Sequence, residues 1–146
     1  MILIDGKKVA AELREELKQE VAELKTKYNK VPGLTVILIG DMAPSQIYVR
    51  NKEKSANEVG LKSEVIRYPD TAEEKTVLEK IEELNNDESV SGILVQLPLP
   101  KHIDKLFVYQ YVLGAGVELK FPTRFDHYLN LQFFLRLSFL QLYLDI

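Results

Sequence analysis

The stretch Leu34-Thr35-Val36-Ile37-Leu38-Ile39-Gly40 decides the fold. From Leu34 to Ile39 it is apolar but for one threonine, rich in branched side chains, with Pro32-Gly33 before it and Gly40 after. A strand with one wet face alternates apolar and polar residues. A continuous run bounded by turn formers suits a strand buried on both faces, which requires helices above and below it. The flanking sequence supplies them. Val9, Leu13, Leu17, Val21 and Leu24 recur at spacings of three and four and predict an amphipathic helix over 8–28.

Beyond Gly40, a loop through Pro44 leads to a second helix from about Ser45 to Glu58, with Ser45 as its N-cap and Gly60 as its stop. A short, more polar strand is expected over 61–68. Thr71 then opens a third helix carrying Ala72, Val77, Leu78, Ile81 and Leu84, and Thr71 with Glu74 has capping-box spacing. Val90 to Leu97 reads as a second buried strand, closed by Pro98 and Pro100. Helices alternating with strands through short joints predict an α/β fold, a three-layer helix-sheet-helix domain on a mainly parallel sheet. Sites in such sheets lie in loops at the carboxyl ends of the strands, here 40–45 and 96–100.

The 146 residues make room for one ordinary domain. The absence of cysteine excludes disulfides, zinc-thiolate sites and thiol nucleophiles. A net charge of -3 with mixed signs offers no nucleic-acid footprint. The amino terminus runs directly into a charged helical pattern without a signal-peptide h-region, so a cytoplasmic, soluble protein is expected. Residues 106–146 change character: all six Phe and four of the seven Tyr lie there, beside only three acidic and three basic side chains. Asn130, Gln132, Arg136 and Gln141 interrupt the apolar run at its end, which argues against a membrane span. The expectation is a folded unit over 1–105 and an aberrant apolar tail over 106–146 that packs poorly.

Tyr48 and Lys52 stand four apart on the second helix and so share a face. A tyrosine ring can stack on a flat ligand, and a lysine in a partly dry pocket can act as acid or base. An ordinary amphipathic helix could carry the same pair. Gln96 ends a very apolar strand, where its amide must find a partner. It either bonds a nearby loop backbone or faces the same cleft as Lys52 and holds that amine. Pro98 and Pro100 would stiffen the rim of a pocket. Asp41 reads as a loop carboxylate. The Tyr-x-x-x-Lys spacing is shared with short-chain dehydrogenases, but those need a glycine-rich phosphate loop after the first strand. Ile39-Gly40-Asp41-Met42-Ala43-Pro44 has one glycine, and Gly114-Ala115-Gly116 lacks a third at the required spacing. His102 and His127 are far apart without a carboxylate cluster, so no metal is expected.

Taken together, Val36-Ile37-Leu38-Ile39-Gly40-Asp41, Pro44-Ser45-Gln46-Ile47-Tyr48-Val49-Arg50-Asn51-Lys52 and Gly92-Ile93-Leu94-Val95-Gln96-Leu97-Pro98-Leu99-Pro100 resemble the bifunctional methylenetetrahydrofolate dehydrogenase/methenyltetrahydrofolate cyclohydrolase (FolD) family. The resemblance runs from residue 1 to about 104. It implies that Tyr48 stacks on the aminobenzoate ring of tetrahydrofolate and that Lys52 is the catalytic amine. It also implies that Gln96 orients Lys52 while Pro98 and Leu99 line the folate site. The intact family uses NADP and forms homodimers. An Asp-Val-Asp-Gly-Phe-His-like motif, which in the family supplies a folate-binding aspartate, has no match here, and no such role passes to Asp126. The dinucleotide-binding (Rossmann) domain is expected to be absent, with a truncation or frame disruption near Lys105, and NADP is not expected to bind this chain. Three readings follow: an enzyme keeping the folate half of its site, a non-catalytic folate-binding or interaction fragment, and a degenerate product.

Overall fold

The computed structural model describes residues 5–112, in the order α1 (Gly6–Tyr28), β1 (Gly33–Ile39), α2 (Ala43–Glu58), β2 (Lys62–Tyr68), α3 (Glu74–Asn86), β3 (Gly92–Val95) and α4 (Lys105–Val112). The three strands form one parallel sheet in the order β2-β1-β3. β1 is therefore central, as its unbroken apolar run requires, and all of it but Leu34 is buried.

The chain steps from β1 to β2 through α2, then back past β1 to β3 through α3. Strand–helix–strand connections keep one hand, so reversing the direction of travel puts the two helices on opposite faces of the sheet. The packing follows. On one face Val36 and Leu38 meet Val49 of α2, and Leu34 touches a cluster that joins Leu17 and Val21 of α1 to Ala56 and Val59. On the other, Ile37 and Ile39 pack with Val77, Ile81 and Leu84 of α3 and Val108 of α4. This is the expected three-layer arrangement.

The local joints differ from expectation in instructive ways. α2 begins at Ala43, two residues early, because Pro44 fits the first helical turn. Met42, not Ser45, is the N-cap, and Ser45 lies buried inside the helix. Gly60 follows the end of α2 with φ +86, the left-handed conformation expected of a glycine stop. Thr71 opens no helix: the Ala72 N–H bonds the Pro69 carbonyl in a turn, and α3 starts at Glu74 after an extended Glu73. The Glu74 carboxylate accepts from the Asp104 N–H, far along the chain, so no capping box forms. β3 stops at Val95 because Pro98 brings no N–H and the Leu97 carbonyl is engaged by side chains.

The composition shift at Lys105 is not a packing boundary. α4 begins there, Val108 is fully buried in the cluster beneath the sheet, and Tyr111 and Val112 lean on it. Val108, Tyr111 and Val112 thus serve the same core as the charged helices before them. The expectation of poor packing for the rest of the tail lies outside the described residues. No described helix is long and apolar enough to cross a membrane.

Candidate active site

The sheet's connections diverge at β1 and β3, which are neighbours: β1 leaves toward β2 through α2, and β3 leaves toward α4. Such a switch point opens a crevice at the carboxyl ends of the two strands. Two segments reach it, the first turns of α2 and the loop after β3.

Side-chain alternation aims Gln96. Leu94 packs on the α2 side of the sheet and Val95 on the α3 side, so Gln96 returns to the α2 side. Its backbone N–H still donates to the Ile37 carbonyl at 2.9 Å, one rung beyond the end of β3, which pins the residue to the central strand. On α2, residues 45, 49, 52 and 56 turn inward at helical spacing. Lys52 is only 8% exposed, and its Nζ donates to Gln96 Oε1 at 2.7 Å. An amine has no acceptor capacity in its charged form, so the amide atom facing it must be oxygen. The other end of the amide, Nε2, then donates to the Leu97 carbonyl at 2.7 Å. Thus Gln96 satisfies both readings made of it, since it holds Lys52 and bonds the loop backbone.

Tyr48, one turn before Lys52, is 37% exposed and sits at the margin of the inward face. Pro98 is exposed, and Leu97 beside it is 42% exposed, so both stand at the rim of the crevice. Leu99 is half-buried against the cluster on the α3 face, with Ile103.

Ser45 was read as a cap and is instead part of this network. Its Oγ donates to the Leu97 carbonyl at 3.4 Å, tying the start of α2 to the loop after β3. The signal was present in the spacing, since Ser45 precedes Lys52 by seven residues, two turns on one helix face. Asp41 is an exposed loop residue whose carbonyl accepts from Gln46. His102 is elsewhere, with its Nε2 2.8 Å from the Ala72 carbonyl. His127 and Asp126 lie outside the described residues. No group of three potential His, Asp or Glu metal ligands occurs among the described residues.

The loop after β1 does not fit a nucleotide diphosphate. Gly40 has φ +84, but its N–H is spent on the Tyr68 carbonyl at 2.9 Å. A Cβ there would meet that of Asp70 at 3.5 Å, so an acidic residue stands beside the turn. A phosphate cradle needs free N–H groups and no adjacent carboxylate.

These features define an α/β domain on a parallel sheet that carries, at the carboxyl edge of neighbouring strands whose connections diverge, a buried amine held by an amide. Residues 4–113 match the family described as tetrahydrofolate dehydrogenase/cyclohydrolase, catalytic domain, and the chain belongs to that family. It is 80% identical over 119 residues to the bifunctional protein FolD of Pelagibacter ubique, an alignment covering 81% of this chain and 42% of the relative. Among solved structures it is similar to the bifunctional FolD methylenetetrahydrofolate dehydrogenase/cyclohydrolase of Campylobacter jejuni, with TM-score 0.74 and 44% identity, covering 77% of this chain and 39% of that one. It is also similar to the Trypanosoma brucei enzyme complexed with NADP cofactor and inhibitor, with TM-score 0.73 and 37% identity, covering 76% and 38%. The chain thus spans about two fifths of the length of these relatives.

Proposed function

We propose that this chain carries the folate half of an enzyme that interconverts 5,10-methylene-, 5,10-methenyl- and 10-formyltetrahydrofolate. The observation that carries the reading is the 2.7 Å contact between Lys52 Nζ and Gln96 Oε1 inside the crevice. An amide oxygen accepts an N–H from a lysine in either protonation state, so Gln96 can hold the amine while its proton comes and goes. In hydrolysis, water adds to the methenyl carbon and loses a proton to the Lys52 amine. The resulting ammonium returns that proton to the ring nitrogen as its bond to this carbon breaks. The hydroxyl proton of the intermediate passes to solvent, leaving the formyl group.

Tyr48, exposed one turn from Lys52, supplies a stacking face for the aminobenzoate ring, and Leu97 and Pro98 form the opposing rim. Leu99 supports that rim from below. The cytoplasmic setting that the family implies is extended to this protein, while NADP and homodimeric assembly belong to the intact family and are not assigned to this chain. No step is routed through the nicotinamide, because the loop after β1 offers it no cradle.

The test is methenyltetrahydrofolate hydrolysis beside tetrahydrofolate affinity in the chain and in two variants, repeated in a full-length relative if the chain alone does not turn over. Lys52→Met should lower turnover roughly a hundredfold to ten-thousandfold, the usual worth of a proton-transfer group, and leave affinity nearly unchanged. Tyr48→Ala should weaken binding instead, by loss of ring area. Near-normal turnover in Lys52→Met would reduce Lys52 to a helix lysine and remove the proposal.

A further inference from the structure

The loop after β3 hangs between two anchorages. At its start Gln96 is tied to Ile37 and Lys52, and the Leu97 carbonyl to Ser45. At its far end the Ile103 N–H closes a turn onto the Pro100 carbonyl, and the Ile103 side chain, 4% exposed, is buried with Leu99 against the α3 face. Within that turn stands His102. Its Nε2 lies 2.8 Å from the carbonyl of Ala72, thirty residues earlier in the turn that follows β2. A carbonyl can only accept, so Nε2 carries the proton and donates it. Ala72 is itself fixed, with 9% exposure and its own N–H bonded to Pro69. The next residue but one repeats the link, as the Asp104 N–H donates to the Glu74 carboxylate.

We propose that His102 is a positioning residue for the ligand cleft. Its ring fastens the Pro98–Pro100 rim to the β2–α3 turn, so that two loops at the carboxyl edge of the sheet move as one body. The proposal rests on the folate reading only for which ligand the rim meets. Leu99 and Ile103 hold the loop by apolar contact, which resists separation but does not fix direction. The imidazole adds a directional side-chain bond at the far end of the rim, as the Ser45 hydroxyl does at its start, and ties that end to a rigid neighbour. Its ring is otherwise exposed, so its removal leaves no cavity in the core.

The experiment uses the whole chain, unsubstituted and as His102→Ala and His102→Gln; the glutamine amide offers an N–H at the position of Nε2 and no titrating group. Amide hydrogen exchange, tetrahydrofolate affinity by calorimetry and the denaturant midpoint are measured for each. His102→Ala should speed exchange at the Ile103 and Asp104 amides about tenfold, and weaken tetrahydrofolate roughly three- to tenfold, the worth of one hydrogen bond. The midpoint should not move, and His102→Gln should restore both exchange and affinity. Unchanged exchange at Ile103 overturns the anchor. Faster exchange with unchanged affinity overturns its role in the cleft. A lowered midpoint, or glutamine failing to restore either quantity, makes the residue merely structural. Failure of the unsubstituted chain to bind tetrahydrofolate removes the functional reading, and the anchor is then judged on exchange alone.

Discussion

Lys52 and Gln96 depend on each other unequally. The amine is 8% exposed, whereas the amide is half-buried and can turn a polar atom to water. Removing Gln96 leaves a buried amine with one acceptor fewer, a desolvation cost of about 1–3 kcal/mol. Removing the amine leaves only a half-wet amide. Gln96→Leu should therefore lower the unfolding free energy by more than Lys52→Met does, as read by urea denaturation of the two variants. The reverse order would mean that Lys52 draws its stability from packing and not from the amide. The pair itself was open to sequence reading, Lys52 through its four-residue spacing from Tyr48 and Gln96 through the amide at a strand's end. Ser45 was legible only in part: its seven-residue spacing from Lys52 puts it on the same face, but a serine beside a proline also fits a helix cap, and only the helix's start at Ala43 decides between the two.

At the scale of elements, the joint between β1 and β3 is the tightest point. A Cβ on Gly33 would lie 2.3 Å from the Ser89 carbonyl oxygen, and the Ser91 N–H bonds the Gly33 carbonyl at 2.7 Å. Backbone cannot retreat as a flexible side chain can. Gly33→Ala should then cost about 1–3 kcal/mol of stability, as overpacking does, with unchanged ligand chemistry in the fraction that folds. The same joint carries a carboxyl with a perturbed titration. The Ser89 backbone N–H, then its hydroxyl, bond the Asp87 carboxyl that ends α3 and hold it below the ordinary carboxylate range. A carboxyl whose folded-state value is depressed stabilises fully above its unfolded value, and the effect disappears as pH falls through the folded one. Asp87→Asn should therefore destabilise the chain at neutral pH and make no difference near about pH 2, measured as denaturant midpoints at the two pH values. A constant difference across that range would assign the effect to geometry and not to charge. Helix existence was legible from periodicity, but the start of α3 was not. Thr71 and Glu74 have capping-box spacing, yet Glu74 is recruited by Asp104, a partner thirty residues away.

For the whole molecule, the described part is one three-layer unit whose core runs through α4. Leu106, Phe107 and Tyr109 face outward on that helix at 63%, 52% and 39% exposure, while Val108 between them is fully buried. The relatives are more than twice as long as the matched segment, and the loop after β1 is closed to phosphate by Tyr68 and Asp70. Titration of this chain with NADP should accordingly give no saturable heat in a calorimeter. A micromolar dissociation constant would place a nucleotide site in residues whose sequence carries no glycine-rich phosphate loop.

The apolar run 34–39, the helical periodicities and the punctuating glycines and prolines determined the fold class without coordinates, because burial on both faces of a strand leaves one architecture. The motif spacing likewise determined which face of α2 to examine. Tertiary structure alone decided that Gln96 bonds Lys52 and the loop backbone at once and that Leu99 packs against the cluster on the α3 face. It alone extended the core past Lys105 to Val108. In each case the deciding partner is distant in sequence: α2 for Gln96, and the cluster below the sheet for Leu99 and Val108. Periodicity reports which side of its own element a residue occupies. What waits on that side is set by the order in which the strands assemble.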